Sequence, residues 1–360
     1  MYKKYIILII ISLSLISCQN KMIYIGFAGS LSGEGHEVGT AAKNGFQMAV
    51  NEINESGGIN GKEVVAVIKD DQSNPEIAMT IVKEFKDEDI NYVIGFLTSN
   101  MTPAVLEGIK SEILFLSPSM STTLLSGKDD LFIRNIDPLN YISRELGRAI
   151  SNQGIENLAI VYDLNNSSYT VPFMENVEEI YTSLDGKIVY KKGLDDEDLL
   201  VISDEIISSD SDGLCLILPA YKVAELVQYL RQSSYEGSIA LPQWAMVNEL
   251  IMKGGKAVEG AFGITNYNKE LVTESLSNFK TSYIEQFDEE PSFIAINAYE
   301  ATLVLLEGLE HESSPIDVKN YLVDKTYEGL QSHYTIDKNG DGLREFYIIK
   351  IKDGHIVPVN

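Results

Sequence analysis

Small hydroxyl residues follow two short apolar runs of the chain, residues 92–97 and 113–116. The first run leads into a Thr-Ser-Asn sequence that contains Ser99, and the second into a Ser-Pro-Ser-Met-Ser sequence that ends at Ser121. Hydroxyl oxygens, and the free backbone N–H groups at the start of a helix, can bind a small anion such as a carboxylate. One such junction is commonly an ordinary cap or turn, but the pair suggests an anion-binding site.

Both apolar runs are rich in β-branched and aromatic residues and too short for helices, so they predict buried strands. A helical pattern follows the first run directly, with a Ser or Asn placed to cap that helix. In open α/β sheets, ligands bind beyond the carboxyl ends of the strands. If the two strands are parallel neighbours, the hydroxyl groups of both junctions lie at one end of the sheet.

Motifs typical of catalysis or metal binding do not occur in the sequence. The four histidines lack metal-site spacing, and there is no G-x-S-x-G or phosphate-loop motif. Residues 26–35 superficially resemble a dinucleotide loop but do not match G-x-G-x-x-G. Residues 337–342 resemble the start of a calcium loop, yet its twelfth position is Ile348, which favours a β-turn. The sequence predicts no enzyme activity, no cofactor and no metal.

Strand and helix patterns alternate along most of the chain, which predicts an α/β fold with doubly wound, mainly parallel sheets. One series covers residues 22–97 and a second begins after Asn140. Long helical patterns return after Asn266, and two strand-like runs follow at residues 346–352 and 355–359. The late helices suggest that the first domain is completed from the C-terminal half of the chain.

The first 17 residues have the pattern of a signal peptide, with Lys3 and Lys4 before an apolar stretch too short to span a bilayer comfortably. The stretch ends in Leu-Ile-Ser-Cys, which resembles the lipobox of bacterial lipoproteins. Cys18 would then carry the lipid. This predicts an extracytoplasmic protein anchored to the cell membrane by lipid, and the Gln after Cys18 leaves an outer-membrane location open.

Charge and cysteine content narrow the class of protein further. The net charge of −25 argues against nucleic acid and against direct contact with an anionic lipid surface. Cys215 is the only other cysteine, so with Cys18 lipidated no internal disulfide can form. Cys215 lies in an apolar run, which is typical of a small buried residue. Roughly 340 residues after the leader suggest two domains.

Several stretches in this order resemble one family along nearly the whole mature chain. They are IGFAGSLSGEGHEVG at 25–39, GFQMAVNEINESGGINGKEV at 45–64, DDQSNPEIA at 70–78, GGKAVEGAFG at 254–263 and EEPSFIAINAYEAT at 289–302, together with the two hydroxyl junctions. The chain resembles the type I periplasmic binding proteins of the branched-chain amino acid (Leu/Ile/Val-binding) family.

The resemblance implies a two-lobed α/β clamshell with three hinge crossovers. Lobe 1 would comprise residues 22–138 and 268–336, and lobe 2 residues 139–267 and 337–360. Such proteins capture a small polar ligand, here an amino acid or an amino-acid-like amide or carboxylate, by hinge closure. They deliver it to the membrane subunits of an ABC permease and have no catalytic activity.

The resemblance also assigns binding roles to individual residues. Ser99 matches the serine that holds the ligand carboxylate, and the turn of Ser119, Met120 and Ser121 matches a second contact, with Met120 replacing a usual Ala and Ser121 a usual Thr. Tyr169 and Tyr221 match the lobe 2 tyrosines that close on the ligand. Val38 falls where some members have an aromatic residue. Trp244 is either a packing residue near the hinge or an aromatic wall of the site.

Gln243 marks a departure from the family pattern. Members that bind α-amino acids usually have a carboxylate after the strand at residues 238–241, whereas here no acid occurs before Glu249. A buried ammonium without an anionic partner costs several kcal/mol. Either another acid reaches the site, or the ligand is not a simple zwitterion. The Gln243 amide would suit an amide or another neutral polar group.

Two alternatives to an importer component are compatible with parts of the sequence. A ligand-sensing lipoprotein that presents its closed form to a membrane receptor or kinase would use the same clamshell. An extracytoplasmic hydrolase on an α/β scaffold would need a nucleophile with an acid–base partner, and the sequence lacks that set of motifs.

Overall fold

The computed structural model describes residues 22–33, 36–195, 198–268 and 270–359. These residues form two large sheets, each flanked by helices, and one small sheet. The predicted two-lobed α/β clamshell is confirmed. The predicted signal peptide and Cys18 lie outside the described residues.

The first sheet is entirely parallel and has the strand order β2-β1-β3-β4-β5. The predicted apolar runs form its neighbouring strands β3 and β4. Its strands are β1 (Ile23–Gly29), β2 (Val64–Asp70), β3 (Tyr92–Gly95), β4 (Leu114–Ser117) and β5 (Phe132–Arg134).

The second sheet has the order β15-β14-β10-β9-β8-β6-β7. Strands β6 to β10 pair in parallel, and the last two strands of the chain add an antiparallel edge next to β10. Its strands are β6 (Asn157–Asp163), β7 (Lys187–Leu194), β8 (Gly213–Ile217), β9 (Ser238–Leu241), β10 (Phe262–Thr265), β14 (Tyr347–Lys352) and β15 (His355–Pro358).

A small antiparallel sheet lies between β10 and β14 in sequence, and sequence patterns did not predict it. It consists of β11 (Lys325–Glu328), β12 (His333–Ile336) and β13 (Gly342–Leu343). The lobe boundary predicted at residue 336 falls inside this sheet. Because β13 pairs with β12, this sheet contains residues on both sides of the predicted boundary. The predicted turn at residues 337–342 closes through a hydrogen bond from Gly340 N–H to the Asp337 carbonyl (3.0 Å).

Eleven α-helices lie in the described part of the chain. They are α1 (His36–Glu55), α2 (Pro75–Asp87), α3 (Thr102–Lys110), α4 (Leu139–Asn152), α5 (Ser167–Ser183), α6 (Leu199–Ser208), α7 (Ala220–Gln232), α8 (Asn248–Gly254), α9 (Glu274–Phe287), α10 (Phe293–His311) and α11 (Pro315–Leu322). None of these helices has both the length and the apolar content needed to cross a membrane. Asn74 caps α2 as its sequence suggests, accepting from Glu76 N–H at 2.8 Å.

Helices cover both faces of both large sheets. On the first sheet, α2 and α3 pack on one face, and α1 with α10 on the other. On the second, α4 and α5 cover one face, and α6, α7 and α8 the opposite face. Helix α10 lies between β10 and β14 of the second sheet in sequence, but it packs with α1 against the first sheet, as the late helical patterns suggested. Cys215 lies fully buried in the core between the second sheet and helices α4 and α5, where burial raises the pKa of its thiol to about 12.

Candidate functional site

Ser99 lies just beyond the carboxyl end of β3, where the chain forms the 3₁₀ turn Ser99–Met101 before entering α3. The Ser99 side chain does not cap this helix, contrary to the simplest expectation, because the N-cap position is Met101. Thr102 instead donates to the Ser99 carbonyl at 2.6 Å. Ser99 is only 2% exposed, and its hydroxyl makes no hydrogen bond to the described residues. That hydroxyl therefore remains available to a ligand.

The hydroxyl residues after β4 divide into structural and available groups. Ser117 donates to the Phe96 carbonyl at 2.6 Å and accepts from Met120 N–H at 3.0 Å. Ser119 donates to the Leu97 carbonyl at 2.7 Å. These two side chains tie the end of β4 to the end of β3. Ser121 differs, since neither its hydroxyl nor its N–H has a partner within the described residues.

Met120 points away from the other predicted site residues. Its side chain is fully buried in the core between the first sheet and helices α2 and α3. Its carbonyl accepts from the guanidinium of Arg134 at 3.3 Å. Because Met120 lines neither of the two spaces described next, its part at this site is confined to the backbone of the turn.

A cavity of about 70 Å³ lies between the two lobes. Seven of the predicted site residues line its wall: Val38, Ser99, Ser119, Ser121, Tyr169, Gln243 and Trp244. The remaining wall residues are Leu97, Thr98, Pro118, Ile136, Ile142, Asn166, Phe293 and Asn297. A water needs about 10–15 Å³ of such space, so the cavity has room for several non-hydrogen atoms. Residues far apart in sequence thus form one site.

An outer cleft of about 820 Å³ adjoins this cavity. The two spaces share Val38, Leu97, Thr98, Asn166 and Trp244. Tyr221, predicted to close on the ligand, lines the outer cleft and not the inner cavity. The structure therefore places Tyr221 at the entrance of the site, whereas Tyr169 lies inside it.

Aromatic side chains from lobe 2 form one wall of the cavity. The rings of Tyr169 and Trp244 meet edge to face, with centroids 5.7 Å apart, and Tyr169 also packs on Phe173. Burial raises the pKa of the Tyr169 hydroxyl, so it stays neutral at ordinary pH and can donate a hydrogen bond. Of the two roles open to Trp244, the structure places its side chain in the wall of the cavity.

A chain of amide hydrogen bonds crosses between the lobes behind the cavity. Gln243 Nε2 donates to Asn266, Asn266 Nδ2 donates to Asn297 Oδ1 at 3.2 Å, and Asn297 Nδ2 donates to the Pro118 carbonyl at 3.3 Å. Because the Pro118 carbonyl can only accept, the direction of the whole chain is fixed. Sequence reasoning missed Asn266 and Asn297, although Asn297 stands in one of the stretches that carried the family resemblance.

Asn166 is a further site residue that the sequence did not reveal. Its side-chain oxygen accepts from Asn100 N–H at 3.1 Å, and Asn100 Nδ2 donates to the Asn165 carbonyl at 2.8 Å. These bonds join the start of α3 in lobe 1 to the start of α5 in lobe 2. The two lobes therefore touch at the edge of the cavity.

No charged side chain of the described residues lines the inner cavity. Glu249, the first acid after Gln243, is 5% exposed and pairs with Lys253 at 2.7 Å. It is absent from the walls of both the cavity and the outer cleft. The described residues also contain no cluster of potential metal ligands. The arrangement is suited to binding a small solute through hydroxyls, amides and aromatic faces.

Comparison with known proteins identifies related sequences and folds. A family model described as periplasmic binding protein matches residues 22–355. A Leu-, Ile-, Val-, Thr- and Ala-binding protein of Pseudomonas aeruginosa is 23% identical over 321 residues, which is 85% of this chain and 83% of the relative.

Two solved structures have a similar fold. One is a branched-chain amino acid transporter substrate-binding protein of Streptococcus pneumoniae in complex with isoleucine, with TM-score 0.86, 22% identity and coverage of 94% of this chain and 99% of the other. The second is an ABC transporter solute-binding protein of R. palustris in complex with benzoate, with TM-score 0.85, 16% identity and coverage of 94% and 96%. At these identities the likeness establishes the fold.

Proposed function

This chain belongs to the periplasmic binding protein family, and on that premise we propose that it is the solute-binding protein of an ABC importer. It captures a small polar solute, an amino acid or a related acid or amide, between its lobes and presents it to the permease. The observation that carries this proposal is the interlobe cavity, whose wall comes from both lobes and contains the unpartnered hydroxyls of Ser99 and Ser121.

The two lobes have different tasks in this proposal. Lobe 1 supplies Ser99, Ser121 and the Ser121 N–H, which hold the polar head of the solute. Lobe 2 supplies Tyr169 and Trp244, which cover the solute when the hinge closes. The relatives solved with isoleucine and with benzoate hold ligands that share a carboxylate. This common group supports a carboxylate contact at the two serines.

The absence of catalysis is part of the proposal. The wall of the cavity has no nucleophile next to a base, and no carboxylate or histidine among the described residues. A bound solute would meet only hydroxyls, amides and apolar faces. The site is therefore suited to holding and releasing a solute unchanged.

The sequence at Cys18 supports an extracytoplasmic protein held to the membrane by lipid. Expression of the full chain in a bacterium, followed by detergent phase partitioning, tests this anchor. The wild type should enter the detergent phase and Cys18→Ala should remain in the aqueous phase. Partitioning of both proteins into the aqueous phase would contradict the lipid anchor while leaving solute binding untouched.

Solute binding is tested by native mass spectrometry of the purified protein and by a thermal-shift screen of amino acids, amides and small carboxylates. At least one small polar solute should raise the melting temperature. Val38→Trp, which fills the space shared by the cavity and the outer cleft, should abolish that shift. The matched control is Val201→Trp, because Val201 is 52% exposed near the start of α6.

Two results would contradict the proposal. One is the absence of any stabilising solute together with the absence of a co-purified small molecule. The other is a solute whose effect survives Val38→Trp, since that solute would bind elsewhere.

A further inference from the structure

We infer that the solute is a monocarboxylic acid with an apolar body and without an ammonium group. This inference rests on the proposed function and specifies the class of ligand for the same cavity. Four features of the wall carry it: its lack of charge, the helix ends around it, its unpartnered hydroxyls and its fixed amide chain.

The lack of charge in the inner cavity leaves an ammonium bound there without an anion in the described part of the cavity wall. None of the described wall residues is Asp or Glu, and Glu249 is already paired with Lys253 outside the wall. An ammonium enclosed here would find only neutral oxygens. Removing a cation from water without an anionic partner costs several kcal/mol. The ammonium of a zwitterion would therefore cancel much of the binding free energy that its carboxylate gains.

The helix ends around the cavity make its potential favourable to an anion. Val38 is the third residue of α1, Tyr169 the third of α5 and Phe293 the first of α10. Ile142 also lies in the first turn of its helix, α4. Helix N-termini carry a partial positive charge, and all four of these helices have eight or more residues. Because first-turn residues of all four helices line the cavity, these N-termini favour a carboxylate over an ammonium there.

The unpartnered groups of lobe 1 show where the carboxylate would bind. Ser99 and Ser121 are each 2% exposed, and neither hydroxyl has a hydrogen-bond partner among the described residues. The Ser121 N–H also lacks an acceptor there. Both serines line the cavity, so a ligand with two acceptor oxygens could accept hydrogen bonds from these donors. A carboxylate has this geometry and cannot itself donate.

The chain of amide hydrogen bonds explains why Gln243 cannot take the place of a carboxylate that pairs with a ligand ammonium. Its Nε2 is committed to Asn266, and the Pro118 carbonyl at the far end fixes that orientation. Gln243 then offers the cavity a neutral oxygen, which can accept a hydrogen bond but cannot neutralise a cation. The rest of the wall is largely apolar, with Ile136, Ile142 and Phe293 available to cover a hydrocarbon body.

Matched ligands that share one carbon skeleton test the inference by isothermal titration calorimetry. The aliphatic series is 4-methylpentanoate, leucine and 4-methylpentanamide, and the aromatic series is phenylacetate, phenylglycine and 2-phenylacetamide. In at least one series, the acid should bind on the order of 100-fold more tightly than the amino acid, which corresponds to about 2.8 kcal/mol. The amide should also bind more weakly than the acid, because it has one acceptor oxygen instead of two.

Gln243→Glu adds the missing anion and should reverse the preference within a series. Affinity for the acid should fall, because a second carboxylate enters the cavity, and affinity for the amino acid should rise. Gln286→Glu is the matched control, since Gln286 is exposed on α9 and absent from the wall. The control should retain the wild-type order of affinities.

The outcomes separate this inference from the proposed function. Equal or tighter binding of the amino acid, or a co-purified ligand that carries an ammonium, overturns the inference and leaves solute binding intact. Tighter binding of the amides than of the acids would likewise overturn the inference and leave solute binding intact. If no acid, amino acid or amide binds in these series or in the wider screen, both the inference and the proposed function fail.

Discussion

The backbones of α1 and α10 approach closely at Gly45, and Gly45→Ala tests how that contact supports the site. A Cβ at residue 45 would lie 2.1 Å from the carbonyl oxygen of Ala295 and 3.1 Å from the N atom of Tyr299. Both neighbours are backbone atoms of α10, so no side chain can rotate away. The two helices would have to separate by about 1 Å to restore ordinary contact.

The expected loss of stability follows from two opposing terms. Replacing Gly by Ala inside a helix gains about 1 kcal/mol from helix propensity. Overpacking a close-packed contact costs about 1–3 kcal/mol, and the upper part of that range applies because the clash is with backbone. The net loss should be about 1–2 kcal/mol. For a domain of this size, that lowers the melting temperature by about 2–8 °C.

The same displacement should weaken solute binding, because α10 carries Phe293 and Asn297 in the wall of the cavity. Urea unfolding measures the stability, and calorimetry with the solute found in the screen measures the affinity. Gly147→Ala in α4 is the control and should cost less, since its Cβ would lie 3.3 Å from both the Ile180 side chain and the Val177 carbonyl oxygen. A Gly45→Ala protein as stable as the wild type would refute the close-contact argument.

Four further substitutions test the carboxylate contact, the titration of a buried acid and a buried ion pair. Ser99→Ala and Ser121→Ala should each weaken carboxylate binding by about 1–2 kcal/mol by calorimetry, because each removes a donor to the anion. Burial raises the pKa of Asp137 from 3.8 to about 7, so the folded state keeps the Asp137 proton at pH values where the unfolded chain has lost it. The free energy of unfolding should therefore fall between about pH 4 and pH 7. Asp137→Asn should flatten that fall in urea unfolding measured across the range. Arg134→Met should cost about 3–5 kcal/mol in the same assay, because it leaves the largely buried carboxylate of Asp341 without its cation.

Each of these tests has an outcome that contradicts it. Unchanged affinity in both serine variants would place the carboxylate contact elsewhere. A pH profile that Asp137→Asn does not flatten, or that exposed Asp204→Asn flattens equally, would remove the role of Asp137. Arg148→Met is the control for the ion pair, because the exposed Arg148–Glu145 pair should contribute at most about 1 kcal/mol. Equal losses in the two arginine variants would contradict the argument from burial.

Local sequence patterns were sufficient for much of this fold. The apolar runs at residues 92–97 and 113–116 each form a strand, because a short β-branched run between turn residues favours little else. The helix after Asn74 began where its cap and Pro75 indicate. The small sheet of β11, β12 and β13 escaped prediction, since β11 has a charged residue at each end, β12 has only four residues and β13 only two.

The sequence alone determined that two hydroxyl junctions, two α/β series and no catalytic motif occur in this chain, because caps, turns and periodic patterns depend on residues close in sequence. Only the tertiary structure decided that Ser121 faces the cavity while Met120 enters the core, and that Trp244 forms its wall. It also decided the amide chain, in which Asn297 contacts the Pro118 carbonyl across 179 positions of sequence. Such contacts depend on how whole lobes pack, and no local pattern of residues encodes them.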